Sequence, residues 1–289
     1  MDLTEEGVIR VDEALLRNII PKRRASSRKG ENGSVAIIGG SKLYHGAPVL
    51  SALGALRTGV DLVYLFVPHI VVNPIRSLSP NFIVYPLPDA KITPGVANKI
   101  LNSIPKIDSA VIGPGAGRQR TEGMRQLSLG LAERRVKLVL DADALFPGVT
   151  EHLNNCEAVF TPHPGEFSRL YATEIGESVR ERITAVKEKA VKDRITILLK
   201  GTTDIISDGE SVAINETGTP AMTVGGTGDV LAGVVAANLA KGMNLFHSAL
   251  AAAYVNGRAG ELAQKKFGLR ILATDVVEEL PEVLKRFDD

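Results

Sequence analysis

The stretch Gly225-Gly226-Thr227-Gly228-Asp229, running into Val230-Leu231-Ala232-Gly233-Val234-Val235-Ala236-Ala237, decides how this chain is read. Its clustered glycines free the backbone for positive φ and for close approach to a ligand. The small apolar run behind them predicts a buried helix, with the loop on its N-terminus. Unpaired N–H groups and the positive end of the helix dipole favour an anion there. Asp229 falls in the first helical turn, where the same field is expected to favour its charged form. A carboxylate beside an anion hole suits a base that deprotonates a hydroxyl as a phosphoryl group arrives. A lone Gly-Asp at a helix start reads as a simple cap. The glycine density, and a helix too apolar to be exposed, point instead to function.

Outward from that loop the chain alternates. Short apolar runs at Val35–Ile38, Leu62–Val67, Phe82–Tyr85, Ala110–Ile112, Leu138–Leu140, Ala158–Phe160 and Ile195–Leu199 are separated by stretches that can be helical. That pattern predicts an α/β fold, a mostly parallel central sheet with helices on both faces. Asp204–Asn215 reads as an antiparallel hairpin turning at Asp208-Gly209. Ala249–Gly260 reads as closely packed helix without chemistry. Residues 1–28 read as a lead-in, with an amphipathic helix over Val11–Ile20 stopped by Pro21. Residues 29–289 form one domain, a size that 289 residues at 44% hydrophobic content can support.

Charge excludes several partners. With 34 basic and 33 acidic residues the net charge is +1, so neither nucleic acid nor membrane is expected. The basic cluster Lys22-Arg23-Arg24 with Arg28-Lys29 reads as a solvated linker. Cys156, the single cysteine, excludes an internal disulfide and fits a reducing, cytoplasmic setting. No secretory signal is read at the acidic N-terminus, and no run approaches a membrane span.

Ligands of parallel sheets collect at the carboxyl ends of the strands. Those ends run into Gly39-Gly40-Ser41, Gly113-Pro114-Gly115, Asp141-Ala142-Asp143, Thr161-Pro162-His163-Pro164-Gly165-Glu166 and Lys200-Gly201-Thr202-Thr203. Five glycine-bearing or polar ends on one rim suggest a shared crevice. No glycine loop ends in Gly-Lys-Ser/Thr, and no dinucleotide fingerprint is present, so a nucleotide phosphate falls to Gly225–Gly228. Simpler roles compete at single positions: a satisfied imidazole for His163, helix caps for Asp141 and Asp143, a helix start for Glu166. Glu166 is also a candidate magnesium ligand, and Lys200 is expected to stay charged near the nucleotide.

These segments carry a resemblance. Lys29-Gly30-Glu31-Asn32-Gly33, Ile38–Ser41, Gly46-Ala47, Gly113–Gly115, Asp141–Leu145, Thr161–Glu166 and Gly225–Gly233 occur in this order in the NAD(P)H-hydrate dehydratases. The likeness covers about Lys29 to the C-terminus, and the His-Pro-Gly-Glu and Gly-Gly-Thr-Gly-Asp elements together are specific. It implies a ribokinase-like fold and an enzyme that uses ADP or ATP, with Mg2+, to dehydrate hydrated NADH or NADPH. It implies Asp229 as the catalytic base, and Ala47, Gly115, His163 and Asp229 at the hydrated dinucleotide. Lys200, Gly201, Thr202, Thr203 and Asp204, with Gly225, Gly226, Thr227 and Gly228, fall to the adenine nucleotide. Departures from the family pattern are Asp204 in place of threonine, Asp61 in place of glycine, and Thr219 and Val224 in place of asparagine and threonine. Some family members are fused to an epimerase, which is expected here as a separate chain, and a homo-oligomer is expected. Two other readings stay open: a ribokinase-like kinase of a vitamin precursor, and a non-catalytic nucleotide-binding module.

Overall fold

Among the described residues, apolar runs too short for helices and too uniform for half-exposed strands build one sheet of ten strands. The computed structural model describes residues 7–117 and 121–288. Its strands are β1 (Val8–Arg10), β2 (Ser34–Ile38), β3 (Leu62–Pro68), β4 (Ile83–Leu87), β5 (Ser109–Ile112), β6 (Lys137–Leu140), β7 (Ala158–Phe160), β8 (Thr196–Leu199), β9 (Asp204–Ser207) and β10 (Val212–Asn215). They lie in the order β1-β10-β9-β8-β7-β6-β5-β2-β3-β4. Only β9, antiparallel to both β8 and β10, runs against the others. The expected hairpin is therefore present, with Gly209 at φ 97° and Asp208 Oδ1 accepting from Glu210 N and Ser211 N.

The helices are α1 (Glu13–Ile19), α2 (Gly46–Arg57), α3 (Val72–Leu78), α4 (Pro94–Ser103), α5 (Thr121–Glu133), α6 (Val149–Leu153), α7 (Pro164–Tyr171), α8 (Val179–Asp193), α9 (Thr227–Ala240), α10 (Leu245–Phe267) and α11 (Ala273–Leu284). Strand alternation sorts them into two layers. Val35, Ile37, Val111, Val139 and Val159 face the layer of α2, α9, α10 and α11. Their neighbours Ala36, Ile38, Ala110, Ile112, Leu138 and Phe160 face the layer of α4 to α8. Helix α9 is buried continuously from Val230 to Leu239. An apolar surface on every side is what such a position requires.

Three expectations shift. The fourth run pairs as Ile83–Leu87 and takes in Pro86, which an edge strand tolerates because one side of its backbone is unpaired. The first helix is shorter, because the Asp12 side chain accepts from Leu15 N and sets its start. The lead-in also carries β1, paired parallel to β10 through Val8 and Val212, a strand too short to leave a periodic signal. Asp61, unusual for the resembled family, has a local structural role. Its carboxylate accepts from Gly30 N, Asn32 N, Asn32 Nδ2 and Arg23, which holds it below the usual range despite burial.

Strand order reverses between β2 and β5, the switch point at which such sheets open a crevice. There Gly40 N donates to Pro114 O at 2.8 Å. Gly39 lies so close to the Pro114 carbonyl that a side chain would collide with it.

Candidate active site

The N-terminus of α9 is built by collision avoidance. Gly226, its cap, sits at φ 102°, and a Cβ there would also strike Leu50 and Ala273. Gly54 and Gly233 let α2 and α9 touch backbone to backbone, with Val230 O and Ser51 O where side chains would be. Ser51 Oγ then donates to Asp229 O at 2.8 Å, fixing the carboxylate's backbone. The first amides of a helix have no intrahelical acceptor, so those of Thr227 and Gly228 remain as anion donors.

Lys200 approaches this end from β8. A Cβ on Gly228 would stand 3.4 Å from Lys200 Nζ. The ammonium donates to Asp141 Oδ1 at 2.8 Å and lies 3.7 Å from Glu166 Oε2. Burial alone would discharge it. Asp141, Glu166 and Asp229 outweigh that and hold its pKa above the usual value. Asp141 is 2% exposed and also accepts from Thr161 Oγ1 at 2.8 Å. Asp141 stands at the N-cap of the short 3-10 turn Ala142–Ala144 but its side chain makes no capping hydrogen bond, and Asp143 accepts from Gly117 N instead. Both cap readings are thereby corrected.

The charge expected of Asp229 is corrected as well. Burial, then Asp141, Glu166 and Asp143, push its carboxyl up to about 7, against the opposing pull of Lys200. Three carboxylates and desolvation outweigh one helix dipole. A carboxyl raised into this range is suited to act as a general base near neutral pH. Asp204 is pushed up to about 6 by burial, although Asn215 Nδ2 at 3.0 Å, Gly201 N at 2.9 Å and Lys200 favour its charge.

His163 is the N-cap of α7. Its Nδ1 accepts from Gly165 N and Glu166 N, while His163 N donates to Glu166 Oε2 at 2.9 Å. That leaves the proton on Nε2, 3.6 Å from Glu166 Oε1. A side chain 57% exposed is no core histidine. Glu166 lies in the first turn, at N3, and closes a capping box with His163, so the helix starts earlier than read, with Pro164 at N1 where a missing N–H is harmless.

A cleft of about 1310 Å³, open mouth included, gathers His163, Lys200, Gly201, Thr202, Asp204, Thr227 and Gly228 along its walls. Ala47 and Gly115 meet outside it. Gly115 has φ 62°, and a side chain there would strike Ala47 Cβ and the Tyr44 carbonyl. Ala47 lies about one turn ahead of Ser51, so this pair flanks Asp229 from the side of α2. Gly225 and Gly226 shape the loop without lining the cleft. Thr203 turns away, to a small cavity beside Val8 and Ile183.

The cleft also has walls not anticipated. Thr217, Thr219 and Met222 come from the segment after β10, and Asn256 and Gly257 from α10. Asn256 Nδ2 reaches Thr227 O at 3.4 Å, so Ala249–Gly260, read as free of chemistry, contributes a wall. A polar residue directly after the apolar run Ala249–Val255 was the available signal. Thr219 hydrogen-bonds Gln264, and Glu261 accepts from Gly218 N, tying the cleft loop to α10.

Among the described residues no group of three or more His, Cys, Asp or Glu could cage a metal ion. Among the described residues no helix is long and apolar enough to cross a membrane.

A family profile described as NAD(P)H-hydrate dehydratase matches residues 35–282. An ADP-dependent (S)-NAD(P)H-hydrate dehydratase of Nitrosopumilus maritimus is 51% identical over 276 residues, 95% of this chain and 96% of that protein. A bifunctional NAD(P)H-hydrate repair enzyme of Pyrobaculum aerophilum is 44% identical over 92% of this chain, which spans 53% of its length. The crystal structure of the ADP/ATP-dependent NAD(P)H-hydrate dehydratase of Bacillus subtilis, co-crystallised with ATP/Mg2+, superposes with a TM-score of 0.84 at 27% identity. It covers 98% of this chain and 100% of that one.

Proposed function

The chain belongs to the NAD(P)H-hydrate dehydratase family, and from that membership we infer that it returns hydrated NADH and NADPH to the intact dinucleotides at the expense of ADP or ATP. The observation that carries the reading within this molecule is Asp229. It is a carboxylate raised to about 7, set beside Lys200 and the free amides of α9.

The chemistry follows from the hydroxyl that must leave. On the hydrated nicotinamide ring it is a poor leaving group. Asp229 accepts its proton as the oxygen attacks the terminal phosphorus, and the phosphoryl group moves from ADP or ATP to the ring oxygen, releasing AMP or ADP. The amides of Thr227 and Gly228 and the Lys200 ammonium meet the charge on the phosphoryl oxygens, an effect worth on the order of a hundredfold or more per donor. The ring nitrogen's lone pair then expels phosphate, and loss of a proton from the neighbouring ring carbon restores the double bond. Ala47, Gly115 and His163 are assigned to the dinucleotide. The residues from Lys200 to Asp204 are assigned to the nucleotide, with Thr203 in a supporting position.

Magnesium fits a site without a protein cage. The ion keeps several waters and binds through phosphates with one or two carboxylates, and Glu166 is the carboxylate proposed for it. Its contribution is to neutralise phosphate charge.

The same reading extends to context. The exposed Leu269 and Leu272 support a homo-oligomer, and the lone Cys156 supports a cytoplasmic setting. Residues 29–289 are proposed as the catalytic domain.

One assay tests the central reading. The protein is incubated with hydrated NADH, ADP or ATP, and magnesium, and absorbance at the reduced-nicotinamide band is followed alongside released phosphate. We expect the two to rise one for one. A stable phosphorylated product would indicate the kinase reading, and nucleotide binding without turnover the binding-module reading.

A further inference from the structure

In a chain with 4% aromatic residues, leaving a phenol ring in water calls for an explanation. Among the described residues the exposed aromatics are Tyr44, 59% accessible, and Phe267. Tyr44 stands in the loop between β2 and α2, on the rim where the strand ends gather. Its backbone is fixed. Tyr44 N donates to Ser41 Oγ at 3.1 Å, and its Cβ and carbonyl fill the space beside Gly115 that a side chain there would need. Ala47 Cβ packs against the same glycine. The next turn of α2 carries Ser51, which holds the Asp229 carbonyl. A rigid loop thus presents a bare ring next to the pair assigned to the dinucleotide and on the Asp229 side of α2.

We propose that Tyr44 is a substrate-positioning residue, whose ring covers one face of the hydrated nicotinamide ring while Asp229 reaches its hydroxyl. The proposal rests on the dehydratase reading and deepens it. The hydrated ring is not aromatic and presents apolar CH2 faces, which pack on an aromatic surface and displace water from it. Burying both faces together also shields the hydroxyl during phosphoryl transfer. A ring fixed at its backbone loses little entropy on doing so.

The test is a steady-state comparison of Tyr44→Ala and Tyr44→Phe with the unaltered enzyme, using hydrated NADH and hydrated reduced nicotinamide mononucleotide. Because the side chain is exposed, melting temperatures should match. Tyr44→Ala should raise KM for both hydrated substrates by about tenfold, the order of a lost ring stack. KM for ADP or ATP should be unchanged, and Tyr44→Phe should behave as the unaltered enzyme. A rise for the dinucleotide alone would place the ring on the adenylate half and overturn the proposal. Unchanged KM values in Tyr44→Ala would overturn it equally. Absence of turnover in the unaltered enzyme would be a failure of the dehydratase reading itself, so the two failures are distinct.

Discussion

Asp229 is held in surroundings that oppose its charge, and that opposition makes it useful. Its folded pKa of about 7 stands above the ordinary carboxylate value of 3.8. As a base it works only when deprotonated, so kcat/KM should fall as pH drops through about 7. Asp229→Asn should lower kcat by roughly a hundredfold or more. The same variant should melt higher at neutral pH, because it removes a charge that the folded state resists. Near-normal turnover would remove Asp229 from the role of base, and an unchanged melting point would contradict its raised pKa. His163 separates two roles in the same way. Its Nδ1 caps α7, so His163→Ala should cost about 1 kcal/mol of stability, while His163→Asn supplies another capping side chain and should retain it. Both should raise KM for the hydrated dinucleotide, since both lose the imidazole. A KM effect confined to the alanine variant would show that His163 acts through the helix start alone.

At the scale of elements, the contact of α2 with α9 positions the base. Gly233→Ala would drive a methyl group into Ser51 O. It should destabilise the protein by roughly 1–3 kcal/mol and lower kcat together with it, as thermal melts and steady-state rates would record. A variant of normal stability and activity would mean that the crossing can slacken without moving Asp229. The same elements show what the sequence disclosed. Seven apolar runs, the hairpin at Asp208-Gly209 and the buried helix behind Gly228 were legible, because continuous burial leaves an unbroken apolar signal. Strand β1 was not, since three residues paired at an edge carry no period. Of the five strand ends, those at His163-Pro164 and Lys200-Gly201-Thr202 line the cleft, legible because polar groups stand out against apolar strands, whereas Gly39, Gly113 and Gly115 serve close backbone approaches instead. The cleft walls at Thr217, Thr219 and Asn256 were hidden, for they depend on how the segment after β10 folds onto α10. The charge state of Asp229 was hidden too. It depends on Asp141, Asp143 and Glu166, which lie far away in sequence.

Across the whole molecule, Asp204 and Asp229 shape the response to acid. The folded state keeps protons on both, with pKa values of about 6 and about 7, that the unfolded chain releases near 3.8. Their contribution to stability is therefore complete below about pH 4 and is lost as pH rises through about 7. The double variant Asp204→Asn, Asp229→Asn should gain melting temperature over the unaltered protein progressively across that window. A constant difference between the two would show that neither carboxyl is perturbed. Buried on every side, α9 adds a kinetic consequence. Its central amides have no small opening through which to meet solvent, so in deuterated water they should exchange only when the entire domain unfolds. The loop around Tyr44, bare on the rim, should exchange far sooner. On that view heat does not loosen the mount of Asp229 ahead of the rest, and loss of the base's position should coincide with global unfolding.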